Sequence, residues 1–187
     1  VVVPVFQCII PSMALANPLL LNAIAACGAK FQQSQLCTSE NSAKHHACVA
    51  DAKRHLAEAN RLIVVELTKP MVSSNTFQKW KGKLVSTGIQ FEVVIAAMLL
   101  VTIFEFTDGV SFSSQMPLMS LQSLFKKYQH QCKKDVASSS SPFTVPEPVS
   151  GIIEACFVWT LKLDIHLSQL LNRPPVIDPT LFDMERR

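Results

Sequence analysis

Four groups of residues carry side chains capable of chemistry. His45, His46 and Cys48, with Cys37 upstream, are metal-ligand types. A zinc site needs such ligands converging tetrahedrally, usually as Cys/His pairs at set spacings. On a helix His45 and Cys48 share a face, three residues apart, while His46 points elsewhere. The spacing therefore predicts two solvent-facing histidines and one small buried thiol, and no metal. Glu92, Glu105 and Glu154 stand beside apolar helical stretches, where burial raises a carboxyl pKa and can suit it to acid–base work. No Ser–His–Asp order and no G-x-S-x-G elbow accompanies them. Capping, or an ion pair with Lys162 or Arg61, is the expected role, and no residue is assigned as catalytic.

Two stretches interleave basic and aromatic residues: Lys79-Trp80-Lys81-x-Lys83 and Lys126-Lys127-Tyr128, the latter followed by Lys133-Lys134. That composition suits phosphate backbones and base stacking. A solvated helix face carries the same residues, so no direct nucleic-acid contact is expected. The last group is soft and apolar: Met98, Thr102, Phe106, Met116, Met119, Phe125, Cys156 and Trp159. If three helices bring these together they line a pocket for a small apolar effector, because Met-rich walls adapt in shape and ligand sites occur between bundle helices. The competing reading is ordinary core.

The elements that must position these groups are helices. The chain is organised around Thr87–Asp108, whose centre, Val93 to Phe104, is almost unbroken apolar between Glu92 and Glu105. A membrane span needs about 20 apolar residues; the interval between the two carboxylates is too short, so this is a buried core helix. Asn17-Pro18 opens an earlier helix, Asn as N-cap and Pro in the first turn. It places Leu20, Ile24, Cys27 and Phe31 on one side, with small Ala23, Ala26 and Gly28 for close packing. A second helix, capped by Ser39 or Asn41 and running to Thr68, carries Ala43, Ala47, Ala50, Ala57 and Val64 near helical spacing, with Lys53, Arg54, Glu58 and Arg61 opposite. Further helices are expected over Leu118–Lys133 and Val149–Leu171, the latter with Ile153, Phe157, Leu161, Leu167 and Leu171 inward. Val1–Ser12 reads as an extended lead-in, and Met71–Lys83 as a loop with a helical turn near Phe77–Trp80. Residues 137–148, ASSSSPFTVPEP, read as a mobile loop. Ser138 to Ser141 could equally serve as a phosphorylation site.

The expected fold is all-α: an irregular bundle of about five main helices around a buried central helix (87–108), forming a single domain of 187 residues. Composition agrees. The chain is 49% hydrophobic and 17% charged, against roughly 25% charged in average soluble domains. Its mean hydropathy is +0.27. Such a chain has apolar surface to hide against a ligand, a second copy or more polypeptide. Only 5 glycines weigh against phosphate-cradling loops and hairpin-rich folds. A net charge of +3 is too mild to imply nucleic acid alone. The 6 cysteines form no C-x-x-C pair and read as reduced, mostly buried thiols of an intracellular protein. The start VVVPVF lacks a Met and a basic n-region, which favours an excised fragment over a signal peptide.

Three stretches resemble a known family. They are PSMALANPLLLNAIAACGAKF, IAAMLLVTIFEFTDG and CFVWTLKLDIHLSQLLNRPPVID. Together they are similar to the regulatory, or middle-homology, domain of fungal zinc-cluster transcription factors. The matching positions are Asn17-Pro18-Leu19-Leu20, Glu105 to Gly109, and Trp159, Lys162, Asp164 and Pro174-Pro175. The likeness spans about Pro11 to Asp178. The family's six-cysteine DNA-binding module has no match here, so the resemblance implies a regulatory part alone, without that module.

The resemblance implies a nuclear, non-enzymatic domain that controls RNA polymerase II transcription through an effector, a protein partner or self-association. It implies no cofactor and no membrane. Two other readings stay open: a tetratricopeptide-like scaffold, suggested by AEANRLIVVEL but lacking a period near 34 residues, and an α-helical enzyme using a buried carboxylate.

Overall fold

A computed structural model describes residues 5–36, 42–69, 77–80, 83–86, 90–108, 115–138 and 151–181; in the two strands, and at 42, 108, 115 and 131–138, it describes the backbone. Six α-helices lie among the described residues: α1 (Ile10–Ala16), α2 (Pro18–Gln35), α3 (Ser42–Leu67), α4 (Phe91–Asp108), α5 (Gln115–Ser138) and α6 (Gly151–Leu170). The protein is an all-α bundle with one small two-stranded appendage.

α4 is the axis of the bundle. Every residue from Val93 to Leu99 is buried, and α2, α3, α5 and α6 all pack against it. An all-round apolar helix is stable only when neighbours cover each side, and these four do so. No helix among the described residues is long and apolar enough to cross a membrane. Aromatic pairs bind the outer layers: Phe91 of α4 meets Tyr128 of α5 edge-on at 5.6 Å, and Phe125 of α5 meets Phe157 of α6 at 5.2 Å. On α6 the expected inward side holds, with Ile153, Phe157 and Leu167 buried and Leu161 and Leu171 packed against the core.

α2 begins as its sequence dictates. Asn17 is extended, and its Oδ1 accepts from the Leu19 and Leu20 amides at 3.0 and 3.4 Å, with Pro18 in the first turn. Its Nδ2 also donates to Gln90 Oε1 at 3.3 Å, tying the head of α2 to the head of α4. α2 and α3 approach closely because alanines meet: Ala23 and Ala26 on one, Ala52 and Ala59 on the other, are all buried. Gly28, expected in that seam, is exposed.

Several expectations need correction. On α3 the inward stripe is Ala52, Leu56, Ala59 and Ile63, whereas Ala43, Ala47, Ala50, Ala57 and Val64 face outward. Both stripes have helical spacing and both are alanine-rich; Leu56 and Ile63 give the inner one its larger payload. From Val5 onward the lead-in is helical, not extended: Val5–Ile9 is a π-helical turn running into α1, and Pro11 sits in the first turn of α1; residues 1–4 lie outside the described residues. The region 71–83 contains a strand rather than a helical turn. Phe77–Trp80 pairs antiparallel with Lys83–Ser86, Phe77 opposite Ser86 and Trp80 opposite Lys83. α5 runs to Ser138, beyond the expected end; residues 139–150, which include most of the Ser/Pro-rich stretch, lie outside the described residues.

Candidate functional site

Two places in the bundle have the geometry of a site. The first is a polar centre at the end of α6. The helix stops in a Schellman arrangement: the Arg173 amide reaches the Ser168 carbonyl at 3.0 Å and the Asn172 amide the Gln169 carbonyl at 3.4 Å. Asn172 takes φ 49°, the left-handed conformation that such a stop requires and that Asn tolerates. The chain then doubles back over α6. Pro174 and Pro175 bring no N–H to satisfy, and the next two amides end on one carboxylate. Asp164 Oδ2 accepts from Val176 at 2.6 Å and from Ile177 at 2.7 Å, while its Oδ1 accepts from Arg173 Nη2 at 3.2 Å. Arg173 Nη1 donates to the Pro174 carbonyl at 2.8 Å and to Ser168 Oγ at 3.4 Å. Ile177 and Leu181 then bury into the main core. A buried charge must be paired and hydrogen-bonded, and Asp164 is both. The centre fastens the returning strap.

The second place is an open, solvent-facing groove of about 430 Å³ between the last turn of α2 and the first turns of α3. It is lined by Phe31, Gln32, Gln35, Leu36, Lys44, Ala47 and Cys48. Phe31 near the end of α2 and Leu36, its C-cap, give the groove its larger apolar side chains, and Ala47 on α3 a small one. Cys48 Sγ sits 4.0 Å from Gln32 Oε1.

The residues expected to line a soft pocket are divided by the structure. Met98, Thr102, Phe125 and Cys156 are buried and Phe106 is partly so. Thr102 Oγ1 is already bonded to the Met98 carbonyl at 2.7 Å, and burial pushes the Cys156 thiol up to about 12. Met116 and Met119 face solvent, at 66% and 50% exposure, because α5 turns Leu118, Leu121, Leu124 and Phe125 inward. Trp159 is 41% exposed, packed edge-on to Phe6 at 5.6 Å with Lys162 Nζ 5.5 Å from its centroid. The set therefore does not converge on one lining.

Among the described residues no three His, Cys, Asp or Glu side chains group as metal ligands. His46 is exposed, whereas His45 and Cys48 are half-buried; Cys37 lies outside the described residues. The described cysteines are free thiols, and only Cys156 is fully buried. Cys27 donates to the Leu100 carbonyl at 3.3 Å, and burial raises its pKa to about 11. Lys126 and Lys127 are exposed, while Tyr128 packs on Phe91. The side chains of Lys79, Trp80, Lys83, Lys133 and Lys134, and the whole of Lys81, are outside the described set. Of the carboxylates, Glu154 is exposed and Glu92 half-buried; Glu105 is half-buried, and burial raises its pKa. The expected partners are otherwise engaged: Arg61 holds Glu58 at 2.7 Å, and Lys162 sits over Trp159.

Sequence reasoning missed the groove, since nothing in a one-dimensional pattern shows that Phe31 and Ala47 line one groove. The polar centre had a signal. Asp164 falls on the inward side of α6 in helical register with Phe157 and Leu167, and an acid there requires a nearby cation or donors. Compared with models of known families, with curated proteins and with solved structures, the chain matches none.

Proposed function

We propose that this chain is a non-enzymatic regulatory domain of a nuclear transcription factor, of the kind found beside fungal zinc-cluster modules. It would control RNA polymerase II transcription by changing its helical packing when an effector or protein partner binds. An effector can do this only by binding one packing better than another. One observation carries the reading: the segments that hold the family resemblance are those that fasten the bundle. Asn17 joins α2 to the head of α4, and Asp164 holds the turn that contains Pro174 and Pro175. Among the described residues the buried polar side chains, Thr102, Thr160, Asp164 and Ser168, are spent on internal hydrogen bonds rather than aimed at a shared cavity.

The test is a fusion of the full chain to a heterologous DNA-binding module in fungal cells, with a reporter behind the cognate site. A regulatory domain changes reporter transcription several-fold relative to the module alone, and Asp164→Ala, which frees the strap, alters that effect. Equal transcription from equal nuclear amounts of the two proteins would refute the proposal.

A further inference from the structure

We infer that the groove between the end of α2 and the start of α3 binds a small amphipathic monoanion, an apolar chain or ring bearing one carboxylate. This deepens the regulatory reading by giving its effector a place and a chemical class. Binding is measured on the chain itself, so the inference stands or falls separately from transcription.

Shape and lining argue for an apolar body. The groove, about 430 Å³, has the size of a small-molecule site, and its open side leaves one end of a bound molecule in water. Phe31 is 67% exposed, an aromatic ring held out of the core at the groove wall. Leu36 and Ala47 continue the apolar surface, and a ligand covering them would remove that area from water.

Charge argues for an anion. Among the described residues Lys44 is the single basic side chain of the lining, and no carboxylate lines the groove. The first turn of α3 holds no acidic residue. Gln32 and Gln35 add carboxamides whose N–H groups can donate to a carboxylate. One flexible ammonium with neutral donors balances a single negative charge; a doubly charged phosphate would keep a charge that no cation of the described lining meets. Lys44 and Cys48 are four residues apart on one helical face, so the thiol reports on whatever sits beside the ammonium.

The experiment uses the full chain with decanoate, decanol and decylammonium below their aggregation limits. Alkylation of Cys48 is followed by mass spectrometry, with exposed Cys8 as the internal control, and binding is measured by calorimetry. Decanoate is expected to slow Cys48 alkylation several-fold without affecting Cys8, and to bind about ten-fold more tightly than decanol. Lys44→Gln should erase that preference while leaving decanol binding unchanged. Ala47→Trp, at an exposed helical position that tolerates bulk, should fill the groove and abolish binding of both. The inference is overturned if decanoate neither binds nor protects Cys48. Equal affinity for all three probes, or a preference that survives Lys44→Gln, overturns it too.

Discussion

Arg173 Nη2 lies 3.2 Å from Asp164 Oδ1, with 10% and 1% of the two side chains exposed. The same carboxylate closes the amides of Val176 and Ile177. Asp164→Ala takes the carboxylate from a largely buried guanidinium and the acceptor from the Val176 and Ile177 amides, the second of them buried. Breaking a buried pair in this way costs about 3–5 kcal/mol, so the urea midpoint should fall markedly while the slope stays near that of wild type. Arg173→Met keeps much of the packing and leaves the carboxylate its two amide donors; a loss of about 1–3 kcal/mol is expected. A wild-type midpoint for Asp164→Ala would mean that the strap is held by Ile177 and Leu181 alone.

The two sides of α5 should respond oppositely to truncation. Leu121 is fully buried, and Met119, two residues earlier, is half exposed. Leu121→Ala should cost about 2–5 kcal/mol through lost transfer and a cavity. Met119→Ala should stay within about 0.5 kcal/mol. Chemical denaturation of both variants checks the orientation of the helix, and equal losses would rotate it.

That contrast shows where the sequence was legible. The all-apolar run of α4, the Asn17-Pro18 start and the Leu/Ile/Phe side of α6 each had a single solution, because only one face or no face could be solvated. α3 offered two alanine stripes of similar weight, and the choice between them depends on what α2 and α4 present, which no local pattern encodes. The Met98–Trp159 group looked coherent as a composition but spans three helices whose rotations were unknown. Rotating α5 to bury Leu121 and Phe125 sends Met116 and Met119 outward. The groove was illegible for the same reason: it is a gap between the end of α2 and the start of α3, and gaps have no residue type.

Thiol reactivity should fall into two classes. Burial raises Cys27 to about 11 and Cys156 to about 12, and the thiolate is the reacting form. At mildly alkaline pH, iodoacetamide should modify Cys8 and Cys48 far faster than Cys27 and Cys156, by orders of magnitude for Cys156, which is also shielded from the reagent. In denaturant the four rates should converge. Rapid modification of Cys156 in the folded chain would contradict its place between α4 and α6.

Glu105 sets the sign of a pH effect. Its carboxyl sits half-buried near the end of α4, burial raises its pKa above the ordinary 4.5, and no basic residue stands in the last turn of that helix. A carboxylate is also disfavoured at a helix C-terminus, where the backbone carbonyls are negative. The folded state therefore holds this proton more tightly than the unfolded state. Below the ordinary pKa both states are protonated and the group makes no difference. As pH rises through the window between the ordinary and the raised values, the unfolded chain releases its proton first, and folding stability falls. At neutral pH the ionised group is a net liability. Glu105→Gln removes it, so the variant should be more stable than wild type at pH 7, and the two should converge below about pH 4. Thermal unfolding of both proteins across that range reads the difference. A variant less stable than wild type at pH 7 would mean that the Glu105 carboxylate has a favourable partner in the folded chain, and Lys30, whose Nζ lies 5.8 Å from the centroid of the neighbouring Phe104 ring, would be the cation to test.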